Sequence, residues 1–99
     1  MNLKTNPAAG LIRDELAERG IAPAQAARDM RIPRSRLSDI FACRKGVSAD
    51  TAIRVERYLG ISASLLLRLQ ADFDLSKAKR EIGPQVAREI IPALCDSAA

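Results

Sequence analysis

The chain has 99 residues, enough for one domain with one modest core. Apolar residues make up 47% of it, only three residues are aromatic, and histidine is absent, so the core is built from Leu, Ile, Val and Ala and the commonest general base and metal ligand is missing. Sixteen Lys and Arg against twelve Asp and Glu give a net charge of +4, compatible with an anionic partner but too small to demand one.

Cys43 and Cys95 have no metal-ligand spacing and form no disulfide framework, so neither a metal nor any other cofactor is expected. The N-terminus reads as carrying no signal peptide, and no apolar run approaches the roughly 18 residues of a membrane span. A cytoplasmic location with no membrane partner is the expectation. Ala- and Leu-rich sequence without sustained alternation predicts an all-α fold.

Met1–Thr5 is expected to fray. Asn6 followed by Pro7 is a helix start, because Asn caps the first turn and Pro is tolerated at its first position. The first helix is predicted to run to about Arg19, with Ile12, Leu16 and neighbouring Leu11 inward and Asp14, Glu15 and Glu18 toward water. Gly20 stops it.

The next stretch, Pro23–Phe41, organises the chain. A helix over Pro23–Met30 places Ala26, Ala27 and Met30 on one side. Arg31-Ile32 forms the turn, with Arg31 where positive φ would favour Gly or Asn. A second helix, set by Pro33, turns Leu37, Ile40 and Phe41 inward. Small alanines let the second helix cross close above the first, as a helix-turn-helix requires. Its outer face carries Arg34, Ser35, Arg36, Ser38 and Asp39, the residue types that meet base edges from a recognition helix. Arg28 to Lys45 holds six basic residues and two acidic ones, a local excess equal to the charge of the whole chain. Asp39 either accepts from a cytosine amino group or pairs with Arg36, and the pair is the favoured expectation. Arg44-Lys45-Gly46 makes a basic loop in which Gly46 is expected to permit a left-handed turn and the two cations to reach phosphates.

Ser48 and Asp50 open a fourth helix with Ala52, Val55 and Leu59 inward, and Gly60 ends it. Ser62 caps a fifth, whose run Leu65-Leu66-Leu67-Arg68-Leu69 is apolar over much of its circumference. That run implies a second burial surface, assigned to a homodimer interface of Leu65, Leu66, Leu69 and Phe73. Leu75–Ile82 stays helical in pattern, Gly83-Pro84 is expected to break the helix, and Gln85–Leu94 reads as a short amphipathic segment before a polar tail, Asp96–Ala99.

These residues resemble the HigA-type antitoxins of the Xre-like helix-turn-helix family over roughly Gly10–Lys79. The resemblance lies in IRDELAERGI, in IPRSRLSDIFACRKGVSADTAIRVERYLG and in ISASLLLRLQADFDL. It implies a five-helix lambda-repressor-like domain over residues 6–72 with a short C-terminal helical extension over 73–99. It also implies a dimer that represses its own operon at a palindrome and silences a RelE-like toxin that cleaves messenger RNA. Carried over by position, Arg34, Ser35, Arg36 and Ser38 are the DNA contacts, supported by Arg44 and Lys45. Three departures stand out. Pro7-Ala8-Ala9-Gly10 replaces an early His-Pro-Gly-Glu stretch; Pro23 stands where a phosphate-binding Gln is usual, which passes that role to Gln25 or a basic residue; and Leu66 replaces an aromatic.

A toxin that works on RNA is expected to be basic, so the acidic face of Asp14, Glu15 and Glu18 is the expected toxin surface, with Leu75–Leu94 its rival. An enzyme is not expected, since neither cysteine has a partner base and nothing marks Asp72 and Asp74 as a catalytic pair. The alternatives are a free-standing Xre-type repressor without a toxin, and an adaptor that uses the leucine-rich helix without DNA.

Overall fold

The computed structural model describes residues 5–93, five α-helices with no strand among them. The expectations for Met1–Lys4, Leu94, Cys95 and Asp96–Ala99 lie outside the described residues. Helix α1 (Pro7–Glu18) begins as its sequence dictates, with Asn6 Oδ1 accepting from Ala8 N at 2.9 Å. It buries Ala8, Ala9, Ile12 and Leu16, whereas Leu11 remains 38% exposed. Gly20, at φ 69°, turns the chain, and the amide of Ile21 donates back to Leu16 O at 2.9 Å.

Helices α2 (Pro23–Met30) and α3 (Arg34–Phe41) form the expected pair. Ala26 and Ala27 are buried against the core, as are Met30 from α2 and Leu37 and Ile40 from α3. The turn between them is left-handed at Arg31, φ 57° and ψ 45°. A non-glycine residue there costs about 1–2 kcal/mol. Burial of the next side chain, Ile32, offsets it, as do the bonds Arg31 N to Arg28 O and Ile32 N to Ala27 O. Arg54 reaches over from α4 (Ala49–Leu59) and donates to Met30 O at 3.0 Å, placing a cation on the carbonyl end of α2.

The loop from α3 to α4 departs from expectation. Its left-handed residue is Cys43, φ 60°, and not Gly46. Gly46 is required for a different reason: a Cβ there would lie 2.6 Å from Gln70 Nε2 and 2.7 Å from Gln70 Cδ. Ser48 caps α4 by accepting from Thr51 N, Gly60 ends it at φ 77°, and Ser62 caps α5 (Ala63–Glu89) by accepting from Leu65 N.

Helix α5 carries two corrections. It continues unbroken through Gly83-Pro84 for 27 residues, about 40 Å at 1.5 Å per residue. Gly83, with no Cβ, relieves one of the clashes that proline imposes on the residue before it, while Pro84 still leaves the Arg80 carbonyl without its helical amide. The leucine run also sits differently from the expected dimer surface. Leu66 is fully buried, Leu67 and Leu69 are half-buried against the core, and only Leu65 is exposed, at 41%. Leu66 and Phe73, at 0% and 7% exposed, are thus interior residues of the monomer. One helix face absorbs Leu66, Gln70 and Phe73 because they lie at i, i+4 and i+7. The expected boundary between residues 72 and 73 falls inside this helix, which packs on α1 and α4 through its first half and projects with its second. The molecule is accordingly elongated, 56 × 27 × 23 Å.

Candidate nucleic-acid interface

The outer side of α3 is assembled by its packing. Leu37 and Ile40 point into the core, which leaves Arg34, Ser35, Arg36 and Ser38 exposed together. Gln25 is exposed on the first turn of α2, whose N-cap Ala22 supplies no side-chain bond. Arg44 and Lys45 are exposed on the loop that follows α3. The sequence-predicted nucleic-acid residues therefore lie on the α2–α3 pair and the loop beyond it, six of them basic or hydroxyl-bearing and all six accessible.

The charges within this face are arranged differently from the sequence expectation. Asp39 pairs with Arg44 Nε at 2.9 Å and lies 3.9 Å from Lys45 Nζ, not with Arg36. Its backbone carbonyl also accepts from the amides of Arg44 and Lys45, at 2.9 and 3.2 Å. One residue thus clamps the basic loop through both carbonyl and carboxylate. Arg36 instead lies 3.8 Å from Asp50 on α4. The carboxyl of Asp50 is held below its ordinary value first by the hydrogen bond from Arg54 and further by the charges of Arg54 and Arg36. Among the described residues Arg34 makes no ion pair, which leaves it the cation on α3 with no competing carboxylate.

Helix α1 shows the exposed carboxylates of Asp14 and Glu18 and the half-exposed one of Glu15. Glu15 is engaged by Arg19 at 2.8 Å, and the same guanidinium donates to Leu59 O at the end of α4. Asp14 and Glu18 make no ion pair among the described residues. No helix among the described residues is long and apolar enough to cross a membrane.

The sequence reading missed a buried polar junction beneath the basic loop. Gln70 on α5 is 7% exposed, and its Oε1 accepts from Val47 N at 2.7 Å and from Asn6 Nδ2 at 2.6 Å. Its Nε2 donates to Asp74 Oδ1 at 3.0 Å. The local signal for it was a polar residue on the inward face of a leucine-rich helix, four residues after Leu66.

A helix-turn-helix family model matches residues 12–66, more than half of the chain and all of α2, α3 and α4. The chain belongs to the Xre-like helix-turn-helix family, among its HigA-type antitoxins. Its fold is similar to that of the Pseudomonas aeruginosa antitoxin HigA solved with the higBA promoter, with 38% identity over 88% of this chain and 96% of that one and a TM-score of 0.80. A second Pseudomonas aeruginosa structure, a complex with operator DNA, is 37% identical over 89% of this chain and 94% of that one, with a TM-score of 0.77. The virulence-associated protein I of Dichelobacter nodosus is 32% identical over 88% of this chain and 80% of its own length. The family match spans the α2–α3 pair and the basic loop described above.

Proposed function

We propose that this protein is an antitoxin that binds a palindromic operator as a homodimer, represses its own operon, and neutralises a RelE-like toxin in the cytoplasm. The observation that carries the DNA half is the accessible α3 face of Arg34, Ser35, Arg36 and Ser38, on a fold similar to an antitoxin solved with its promoter. Two such faces about 34 Å apart would enter successive major grooves. Arg34 is the candidate for bidentate contact with guanine, since no carboxylate holds it, and Arg36 shares itself with Asp50. Ser35 and Ser38 are short enough to let the helix sit deep. Arg44 and Lys45, with Gln25 and the uncapped first turn of α2, would meet phosphates, which position the helix without reading sequence. Asp39 serves that loop as its clamp.

The homodimer surface follows from what the fold leaves bare. Leu65, at 41%, with Leu75, Ile82 and Val86 at 55, 51 and 39%, is the exposed apolar surface of α5. Light scattering is expected to report dimers for the wild type and monomers for Leu65→Glu or Leu75→Glu, with operator binding lost alongside. Dimers retained in both variants place the contact elsewhere.

For the toxin, Asp14 and Glu18 of α1 offer exposed carboxylates, with no ion pair among the described residues, to a basic partner. Asp14→Lys/Glu18→Lys is expected to abolish rescue of cells that express the toxin while leaving promoter binding unchanged. Promoter binding with no rescue by the wild type would make the chain a free-standing repressor.

A further inference from the structure

We infer that Gln70 is a positioning residue for DNA binding: from inside the fold it sets where the basic loop presents Arg44 and Lys45. The inference rests on the DNA-binding reading above and adds to it a residue that touches no DNA.

The loop between α3 and α4, residues 42–48, is seven residues long and is held at both ends. At the α3 end Asp39 takes the amides and the cations of Arg44 and Lys45. At the α4 end the tether is Gln70, whose Oε1 takes the Val47 amide two residues after Lys45. The same oxygen takes Asn6 Nδ2, so the loop is fixed to the start of α1 and to α5 through one atom. Asp74 accepts from Gln70 Nε2 and decides which way the carboxamide faces: an amide with its nitrogen toward Val47 would oppose donor to donor. Gly46 completes the fit, because a side chain there would occupy the space of the carboxamide. With these three hydrogen bonds made, no buried side-chain polar atom among the described residues lacks a partner. Val47 is itself buried, so the loop cannot swing outward without extracting it.

A carboxamide in this place does more than fill the core. Leucine at position 70 would match its bulk but leave the Val47 and Asn6 donors unpaired in the interior, and the loop would move to find water. The cations would then lose their register with the phosphates while α3 kept its own packing through Leu37 and Ile40.

The test is a salt titration of promoter-duplex binding by the full-length protein. Each phosphate contact contributes about 0.9 to the slope of log K against log salt. Gln70→Leu is expected to weaken binding at least tenfold at low salt, to flatten the slope as Arg44→Ala/Lys45→Ala does, and to add nothing further in that double-variant background. Gln70→Glu, which places a carboxylate against Asp74, is expected to weaken binding, and Q70E/D74N, which restores a donor–acceptor pair with the roles exchanged, to recover it. Equal losses in both backgrounds, or an unchanged slope in a folded Gln70→Leu, would reduce the residue to ordinary core structure and overturn the inference. Should Gln70→Leu not fold, failure of Q70E/D74N to improve on Gln70→Glu overturns it by itself. A wild-type chain that does not bind its promoter would instead remove the DNA-binding reading, and this inference with it.

Discussion

The α2–α3 pair and helix α5 have similar apolar content but resolve it in opposite ways. In the pair, Ala26, Ala27, Met30, Leu37 and Ile40 are buried, Phe41 is partly buried, and the outward residues are mostly polar, so no large apolar side chain is left exposed. In α5, Leu66 and Phe73 go into the core of their own chain, whereas Leu75, Ile82 and Val86 on the projecting half remain exposed. A short helix between two others is specified by its own period. A 27-residue helix that outruns its domain carries one surface for the core and a second for something else.

Substitution at matched leucines breaks this comparison most sharply. In the monomeric Leu65→Glu background, Leu66→Ala is expected to lower unfolding stability by about 2–5 kcal/mol, and Leu75→Ala to leave it within about 0.5 kcal/mol, both by urea denaturation. Similar losses at the two sites would mean that the projecting half of α5 is packed on its own domain. Gly46→Ala comes next. Its methyl group must displace a carboxamide held by three hydrogen bonds, and a loss of about 1–3 kcal/mol is expected in the same assay. The same change at half-buried Gly10 in α1, where a Cβ meets nothing within 4 Å, is expected to stabilise by a few tenths to about 1 kcal/mol.

The smallest effect is electrostatic and depends on pH. The Asp50 carboxyl lies below its ordinary value because Arg54 donates to it. A depressed carboxylate contributes stability that is present above its unfolded value, near 3.8, and lost as pH falls through the folded one. Asp50→Asn is therefore expected to shift the acid-unfolding midpoint slightly, with the difference from wild type greatest at neutral pH and vanishing at strong acid. At neutral pH the same variant frees Arg36 from its neighbour and is expected to raise affinity for duplexes of any sequence modestly.

The pattern of what the sequence revealed follows the range of the interactions. Caps and stops are local, so Asn6, Gly20, Ser48, Gly60 and Ser62 marked their helices from neighbouring residues alone. The strain at Arg31 was visible for the same reason. The outward face of α3 was legible because the inward one, Leu37 and Ile40, was apolar at helical spacing. The Gln70 junction was not, since it joins residues 64 and 23 positions apart. Gly46 was assigned a turn when its role is a close approach, which only the partner helix reveals. The partner of Asp39 was misassigned because two cations on the following loop lie closer than one on its own helix. The helix break expected at Pro84 does not occur; the preceding glycine, with no Cβ, relieves one of the clashes that favour such a break.

The central claim is that α3 reads base sequence through Arg34, and a paired titration of Arg34→Ala against the promoter duplex and a scrambled duplex of equal length tests it most directly. The account predicts that the variant loses about 1–3 kcal/mol of discrimination for each half-site while its affinity for the scrambled duplex changes little. Full discrimination retained by Arg34→Ala would contradict it.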